Sequence, residues 1–266
     1  RANTAPANFD ARAAAHLERM YASPQVVAQR QRFREVLAAQ PGETGVDVGC
    51  GLAHLAIELA QEVGPAGRIA GFDNSDTMVA AATERIAAAG LSERVTVRQC
   101  DATALAFPDA GADFVAAAQV YSYVPQVALA VAEAARALRP GGRLVVLETD
   151  WDLCVYESAD PQLGRRIMEA RAHHFAHAQL PRQLHRLLRA AGLALEACEA
   201  FPIVETQWDP QSFGAGMLPV LRGAAIKSGI DATAVEGWIA DVRSRSERGE
   251  YFFAACRFIF VGRKSP

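Results

Sequence analysis

Two glycines in residues 46–53, Val-Asp-Val-Gly-Cys-Gly-Leu-Ala, separate a short β-like run from a helical segment. At such a turn a ligand can lie against bare backbone, because a Cβ atom would block its approach or strain the chain. The acidic residue Asp73 ends the next β-like run, 22 residues after Gly51. That spacing suits a carboxylate that accepts hydrogen bonds from ribose hydroxyls. Together the turn and the carboxylate predict a site for a ligand that contains adenosine.

Strand-like and helical segments alternate around this turn. Alternation with short loops is typical of an α/β fold in which helices cover both faces of a mostly parallel sheet. The predicted strands are 46–48, 68–73, 95–100, 114–119, 143–149, 193–206 and 251–261. The helices among the first five are 53–63, 76–89 and 126–138. The sequence therefore predicts a doubly wound sheet of seven strands.

Additional helices lie outside this alternation. Apolar residues at helical spacing predict helices over 9–20 and 24–40, and the later helices over 161–178 and 181–191. A mostly helical stretch, 211–248, separates the last two strands. We expect residues 1–40 to form an N-terminal helical lid segment. Residues 41–266 then form the main domain, with a helical lid insertion at about 211–248.

Composition narrows the class of partner. Among 266 residues the net charge is −3 and the hydrophobic fraction is 51%, which fits a globular protein and offers no basic surface for nucleic acid or an anionic membrane. No apolar run reaches the ~20 residues of a membrane helix, and no signal peptide is visible. Five scattered cysteines without a C-x-x-C pair indicate reduced thiols in a cytoplasmic protein, with no zinc site. We expect a small-molecule partner.

Four segments together resemble one known family. They are residues 46–51, 71–75 (Gly-Phe-Asp-Asn-Ser), 100–109 (Cys-Asp-Ala-Thr-Ala-Leu-Ala-Phe-Pro-Asp) and 137–144 (Ala-Leu-Arg-Pro-Gly-Gly-Arg-Leu). In order and spacing they are similar to the class I S-adenosylmethionine-dependent methyltransferases, in the small-molecule branch that includes ubiquinone and menaquinone biosynthesis enzymes. The resemblance covers residues 29–149. It departs at Ala53, where the family usually has glycine; this slightly narrows the loop and should be tolerated.

The resemblance implies a Rossmann-like sheet and S-adenosylmethionine as the cofactor. By position, Asp47 would order the turn or reach the cofactor's amino group, and Asp73 would bind both ribose hydroxyls. Asp101 would accept hydrogen bonds from the adenine amino group. The full set of implied cofactor-binding residues is Asp47, Gly49, Cys50, Gly51, Asp73, Asn74, Asp101, Ala102 and Gln119.

The implied reaction is in-line displacement at the sulfonium methyl, onto an O, N or C atom of a small, ring-containing metabolite. Positioning and exclusion of water supply much of the acceleration, so the family has no fixed catalytic residue. The candidates for a base are Tyr21 and the cluster His173, His174 and His177, which the helix over 161–178 would carry. The candidates for acceptor binding are Tyr121, Tyr123, Asp150, Trp151 and Met217.

Two other functions stay open. A nicotinamide-dependent dehydrogenase would use G-x-G-x-x-G, and the third glycine is absent here. A protein that binds the cofactor without transferring methyl would show the same motifs. The Asn/Asp-Pro-Pro-Tyr motif expected of amide or nucleic-acid methylation does not follow the fourth strand. The identity of the acceptor, and whether the protein is a monomer or a homodimer, are left undetermined by the sequence.

Overall fold

A seven-stranded sheet forms the centre of the protein, in a computed structural model that describes residue 18 and residues 20–266. Its strands are β1 (Thr44–Val48), β2 (Arg68–Asp73), β3 (Val95–Gln99), β4 (Ala112–Ala118), β5 (Leu138–Tyr156), β6 (Leu193–Glu205) and β7 (Phe253–Lys264). They lie in the order β3-β2-β1-β4-β5-β7-β6. β1 to β5 are parallel, and β7 is antiparallel to both β5 and β6. This confirms the predicted fold class.

Eight α-helices surround the sheet in the described part of the chain. They are α1 (Pro24–Leu37), α2 (His54–Glu62), α3 (Asp76–Ala88), α4 (Val127–Ala137), α5 (Pro161–Ala172), α6 (Pro181–Ala190), α7 (Phe213–Lys227) and α8 (Ala232–Ser244). Apolar residues of α1, α2 and α3 pack on one face of the sheet, and those of α4 and α6 pack on the other. The sheet is therefore doubly wound.

A third apolar cluster lies over the far ends of β5 and β7. It combines residues of these strands with α5, α7 and α8, which are not part of the alternating core. Trp151 on β5, Met217 on α7 and Phe253 on β7 are all buried in it. The insertion between β6 and β7 therefore packs at the end of the sheet where β5 leaves the parallel core.

Side-chain caps begin the helices of this cluster. Asp160 accepts hydrogen bonds from the N–H groups of residues 162 and 163 ahead of α5. The Ser212 hydroxyl accepts one from residue 215 ahead of α7, and Asp231 accepts one from residue 234 ahead of α8. Such caps satisfy N–H groups that a helix leaves without partners.

Some predicted element ends are wrong. The helix predicted over 161–178 ends at Ala172, and β5 runs from Leu138 to Tyr156 rather than over 143–149. β5 is longer because β7 continues to pair with it beyond a bulge after Asp150, as far as Tyr156 opposite Phe253. The helix predicted over 9–20 lies almost entirely outside the described residues.

We predict opposite effects for two glycine-to-alanine changes. A Cβ on Gly45 would lie 2.1 Å from the Phe114 ring, whereas one on Gly237, in α8, would meet no heavy atom within 4 Å. Gly45→Ala should lower the free energy of unfolding by about 1–3 kcal/mol through overpacking. Gly237→Ala should raise it by about 0.5–1 kcal/mol, since alanine favours a helix. Urea denaturation measures both, and equal stability of the two variants would contradict this packing.

Candidate active site

The turn after β1 adopts a backbone that suits glycine. Gly49 and Gly51 have φ angles of 65° and 50°. A Cβ on Gly49 would lie 2.3 Å from a methyl group of Val120, so this position also requires glycine for space. Ala53 follows with φ of 60°, a left-handed conformation that costs an alanine roughly 1 kcal/mol. The departure at residue 53 thus strains the backbone in addition to narrowing the loop.

Asp73 joins this turn to the end of β2. Its Oδ2 accepts a hydrogen bond of 2.9 Å from the Gly51 N–H, and its Oδ1 accepts one of 3.0 Å from the Ser75 N–H. Burial raises the pKa of the Asp73 carboxyl, while these backbone donors oppose the rise. Each carboxylate oxygen keeps a further lone pair for a ligand hydroxyl.

Asp47 lies beneath the same turn. Its side chain is buried. Its Oδ2 has no hydrogen-bond partner among residues 18 and 20–266. Burial, together with the charge of Asp73, raises the pKa of Asp47 to about 8. A cation or hydrogen-bond donor that reached Oδ2 would stabilise the ionised form.

Tyr21 lies over the turn. Its hydroxyl is 3.5 Å from where a Gly51 Cβ would stand, and its ring meets His54 edge-on at 5.6 Å. Burial, with the nearby charges of Asp73 and Asp47, raises the pKa of Tyr21 above that of a free phenol. The hydroxyl therefore stays protonated at neutral pH, where it can donate a hydrogen bond.

Glu148, near the end of the parallel part of β5, holds the loop after β4. Its Oε1 accepts three backbone hydrogen bonds, from residue 120 at 3.0 Å, residue 121 at 2.6 Å and residue 122 at 3.3 Å. This contact fixes Val120 where it packs against Gly49. Glu148 is fully buried, and burial raises its pKa to about 7.

The remaining predicted cofactor residues surround the same edge of the sheet. Gln119 has a φ of 60°, and its Oε1 accepts a hydrogen bond from the Thr149 hydroxyl at 2.9 Å. Its Nε2 is buried without a partner among the described residues. Cys50 is buried and Asn74 exposed. Asp101 and Ala102 form part of the loop after β3, where Asp101 Oδ1 accepts hydrogen bonds from both the backbone and the hydroxyl of residue 103.

A narrow apolar gap lies between β5 and α7, and it has no room for a water molecule in this structure. Its walls are almost entirely aromatic and aliphatic. They are formed by Trp151, Cys154, Tyr156, Met168, Phe213, Met217, Leu221 and Phe253. Of the predicted acceptor-binding residues, the structure places Trp151 and Met217 here.

The other three predicted acceptor residues have different surroundings. Tyr121 is fully buried in the core on the α4 and α6 face of the sheet. Both oxygens of Asp150 accept hydrogen bonds from Arg182, at 2.6 and 3.0 Å, so this buried carboxylate holds α6 to β5 instead of facing the gap. Tyr123 is 40% exposed, and its ring lies 4.7 Å from that of Phe175.

The prediction that one helix carries the three histidines is wrong. α5 ends before them, because the chain turns to stack Phe175 on Trp151 with ring centres 4.6 Å apart. His173 and His174 are exposed. The His177 ring hydrogen-bonds to the Pro125 carbonyl at 3.1 Å. None of the three lines the apolar gap, and no cluster in residues 18 and 20–266 could hold a metal ion.

Sequence reasoning missed Glu148, Arg257 and Arg171. A signal existed for Arg257, since it occupies an inward position in β7 where the neighbouring inward residues are Ala255 and Ile259. Charged residues are rare at strand positions whose side chains point into the core, so one found there needs an explanation. Arg171 lies against Trp151, 5.0 Å from the ring centre, a contact that only the tertiary fold reveals.

Comparison with known proteins agrees with this geometry. A family model described as "Methyltransferase domain" matches residues 39–192, more than half of the chain. An uncharacterized 37.1 kDa protein of transposon Tn4556 from Streptomyces fradiae is 32% identical over 239 residues, which are 87% of this chain and 66% of that protein. Demethylmenaquinone methyltransferase from Bacillus cytotoxicus is 35% identical over 122 residues, 46% of this chain and 51% of the relative. The chain thus spans about half the length of that relative.

A solved structure shares the fold. Phosphoethanolamine N-methyltransferase 2 from Haemonchus contortus, in complex with S-adenosyl-L-methionine, aligns with a TM-score of 0.62 and 18% identity, over 96% of this chain and 57% of that one. With the family model, these findings define the class: the chain belongs to the methyltransferase domain family. The domain at residues 39–192 is that of an S-adenosylmethionine-dependent methyltransferase. No helix in the described ranges has the length and apolarity to cross a membrane.

We predict that Glu148→Gln removes part of the pH dependence of stability. Glu148 titrates near its usual 4.5 when unfolded and at about 7 when folded, so the folded protein binds this proton more tightly. The free energy of unfolding should therefore fall as pH rises through this window, by on the order of 2–3 kcal/mol for this group. Glutamine keeps the acceptor oxygen and cannot ionise.

Urea denaturation between pH 5 and pH 8 measures this effect. Relative to the wild type, Glu148→Gln should gain stability as pH rises. Glu84→Gln, which changes an exposed carboxylate on α3, serves as the charge-matched control and should follow the wild type. Parallel pH profiles for the wild type and Glu148→Gln would contradict the assignment.

Proposed function

We propose that this enzyme transfers the methyl group of S-adenosylmethionine to an O, N or C atom of a small, ring-containing molecule. The observation that carries the proposal is the apolar gap walled by Trp151, Tyr156 and Met217, which is closed in this structure and would admit an acceptor only when α7 moves away. Small-molecule sites are concave and mostly apolar, with few polar groups. A flat ring matches aromatic walls of this kind, which can stack on its faces.

The turn after β1 suits the cofactor. The bare backbone at Gly49 and Gly51 admits its methionine portion, and the unpartnered oxygen of Asp47 suits its ammonium group. Asp73 has lone pairs for both ribose hydroxyls. The buried Nε2 of Gln119, without a partner in the described part of the chain, is a donor for the carboxylate end. These roles are proposals that rest on this geometry and on the family pattern.

The bound cofactor would supply an electrophilic methyl group. The chain's own residues hold the acceptor in line with it and exclude water, which supplies much of the acceleration. The described residues near the turn offer no evident base, since burial keeps the Tyr21 hydroxyl protonated and the three histidines lie away from the gap. We therefore propose that positioning, and not proton removal by a side chain, is the main contribution.

We also propose that two segments close over the reactants. Tyr21, in the N-terminal segment 1–40, lies over the glycine turn, and α7, in the insertion 211–248, covers the apolar gap. α1 is different, because Phe33 and Leu37 bury it firmly against the sheet. Opening would therefore involve the Tyr21 end of the N-terminal segment rather than α1.

We do not propose that this chain methylates the same acceptor as the named relatives. Demethylmenaquinone methyltransferase matches less than half of the sequence. Two helices on the acceptor side, α7 and α8, lie outside residues 39–192, the range that the family model matches. Binding of the cofactor without transfer is the alternative function.

A labelling experiment separates these possibilities. The protein is incubated with a bacterial metabolite extract and S-adenosylmethionine carrying a ¹³C methyl group, and the products are analysed by mass spectrometry. We expect one labelled low-mass product together with S-adenosylhomocysteine. Binding of the cofactor without any labelled product in extracts from several bacteria would favour the alternative.

We predict that Asp73→Ala weakens binding of S-adenosylhomocysteine by about 1.5–3 kcal/mol, the cost of losing hydrogen bonds to a charged group. Asp73→Asn, which keeps one acceptor oxygen, should lose less. Asp76→Ala removes a neighbouring exposed carboxylate on α3 and is the matched control, with affinity close to that of the wild type. Isothermal titration calorimetry measures all three. Unchanged affinity in Asp73→Ala would exclude the ribose role.

A further inference from the structure

Arg257 is a buried cation without a hydrogen bond to any described residue. Its side chain comes from the middle of β7 and the residue is only 4% exposed. Its Nε and Nη1 find no acceptor among residues 18 and 20–266. The guanidinium lies over the Phe213 ring, at the beginning of α7, at 4.4 Å. Buried charges are normally paired, so this one requires a partner.

The groups that face Arg257 do not provide that partner. Those with a resolved electrostatic effect on it are Cys154, Glu148 and Tyr21. Burial raises the pKa of the Cys154 thiol and the Tyr21 phenol, so both are neutral near pH 7. Glu148 Oε1 accepts hydrogen bonds from residues 120–122, and its Oε2 is buried without a partner among the described residues, so Glu148 forms no hydrogen bond with Arg257. Burial itself lowers the pKa of Arg257 to about 10, so it remains charged.

Arg257 also lies where the cofactor edge meets the apolar gap. In the sheet it pairs directly with Thr149 of β5, whose hydroxyl donates to Gln119, one of the proposed cofactor residues. On the other side, Phe213 forms part of the gap wall. An acceptor admitted between β5 and α7 by a movement of α7 would therefore lie close to both the cofactor edge and this guanidinium.

A second guanidinium flanks the same place. Arg171 lies 4.3 Å from the centre of the Phe175 ring, and its Nε is buried with no partner in the described ranges. Both Arg171 and Arg257 lower the pKa of Cys154, a residue of the gap wall, so both cations lie near this wall. Two cations and an apolar wall are complementary to an anion with an apolar body.

We propose that the methyl acceptor carries an oxyanion, a carboxylate or a phosphate, on an apolar ring-containing body, and that Arg257 binds this group. The inference rests on the proposed function, since it concerns the acceptor of the same reaction. Hydrogen bonds from a guanidinium to such anions are strong and directional. Arg257 would thereby select anionic acceptors over neutral ones of the same shape.

Thermal denaturation with three probes tests the proposal. The full chain is saturated with S-adenosylhomocysteine and titrated with benzoate, phenyl phosphate or neutral benzamide. Benzoate, phenyl phosphate or both should raise the melting temperature, and benzamide should not. The anion that gives the larger increase shows whether the site prefers a carboxylate or a phosphate. For the anion that raises the melting temperature, Arg257→Met should lower the binding affinity about tenfold or more. Arg222→Met, which removes an exposed arginine of α7, should retain the wild-type response.

The stability of Arg257→Met without any anion is an independent readout. Replacement of an unpaired buried cation by an apolar side chain of similar length should leave the melting temperature unchanged or raise it. A clear decrease would mean that Arg257 is already paired within the protein, and would overturn the proposal. Equal responses to benzoate, phenyl phosphate and benzamide would overturn it as well.

The same titration separates this inference from the proposed function. If S-adenosylhomocysteine itself raises the melting temperature but no anion selectivity follows, only the oxyanion inference fails. If S-adenosylhomocysteine has no effect on the wild type, the proposed function fails at its cofactor step.

Discussion

The contact between Glu148 and three successive backbone amides organises the ligand edge of this enzyme. It fixes the loop after β4, and that loop packs Val120 against Gly49 at the turn where the cofactor is proposed to bind. A carboxyl group buried this deeply is costly, and the three donors offset part of that cost. Two other carboxyl groups, of Asp47 and Asp73, support the neighbouring turn from below and from β2.

The charges at this edge have an arrangement that fits the reaction. Asp47 and Asp73, below and beside the turn, suit a cationic and hydroxyl-rich cofactor. Beside the apolar gap, Arg257 Nε and Nη1 and Arg171 Nε are buried without acceptors in the described part of the chain. The enzyme thus offers carboxyl groups where a sulfonium compound is proposed to bind and positive charge where we infer an anionic acceptor. Complementary charge of this kind fixes orientation as well as affinity.

The parts of the site that are local in sequence could be predicted. The glycine turn and Asp73 follow directly from β1 and β2, and a parallel sheet brings such strand ends to one edge. Residues whose partners are distant could not be placed in this way. Asp150 lies within β5 rather than after it, and its carboxylate accepts hydrogen bonds from Arg182 of α6. The helical period likewise gave no reason to end α5 at Ala172, since stacking of Phe175 on Trp151 is a tertiary contact.

A crystal structure of the complex with S-adenosylhomocysteine tests the central claim most directly. The account predicts ribose hydroxyls within hydrogen-bond distance of the Asp73 carboxylate, and the amino group of the ligand beside Asp47. It also predicts that the sulfur atom faces the gap walled by Trp151 and Met217. A ligand that bound away from the turn at residues 49–51, or whose sulfur faced away from this gap, would contradict the account.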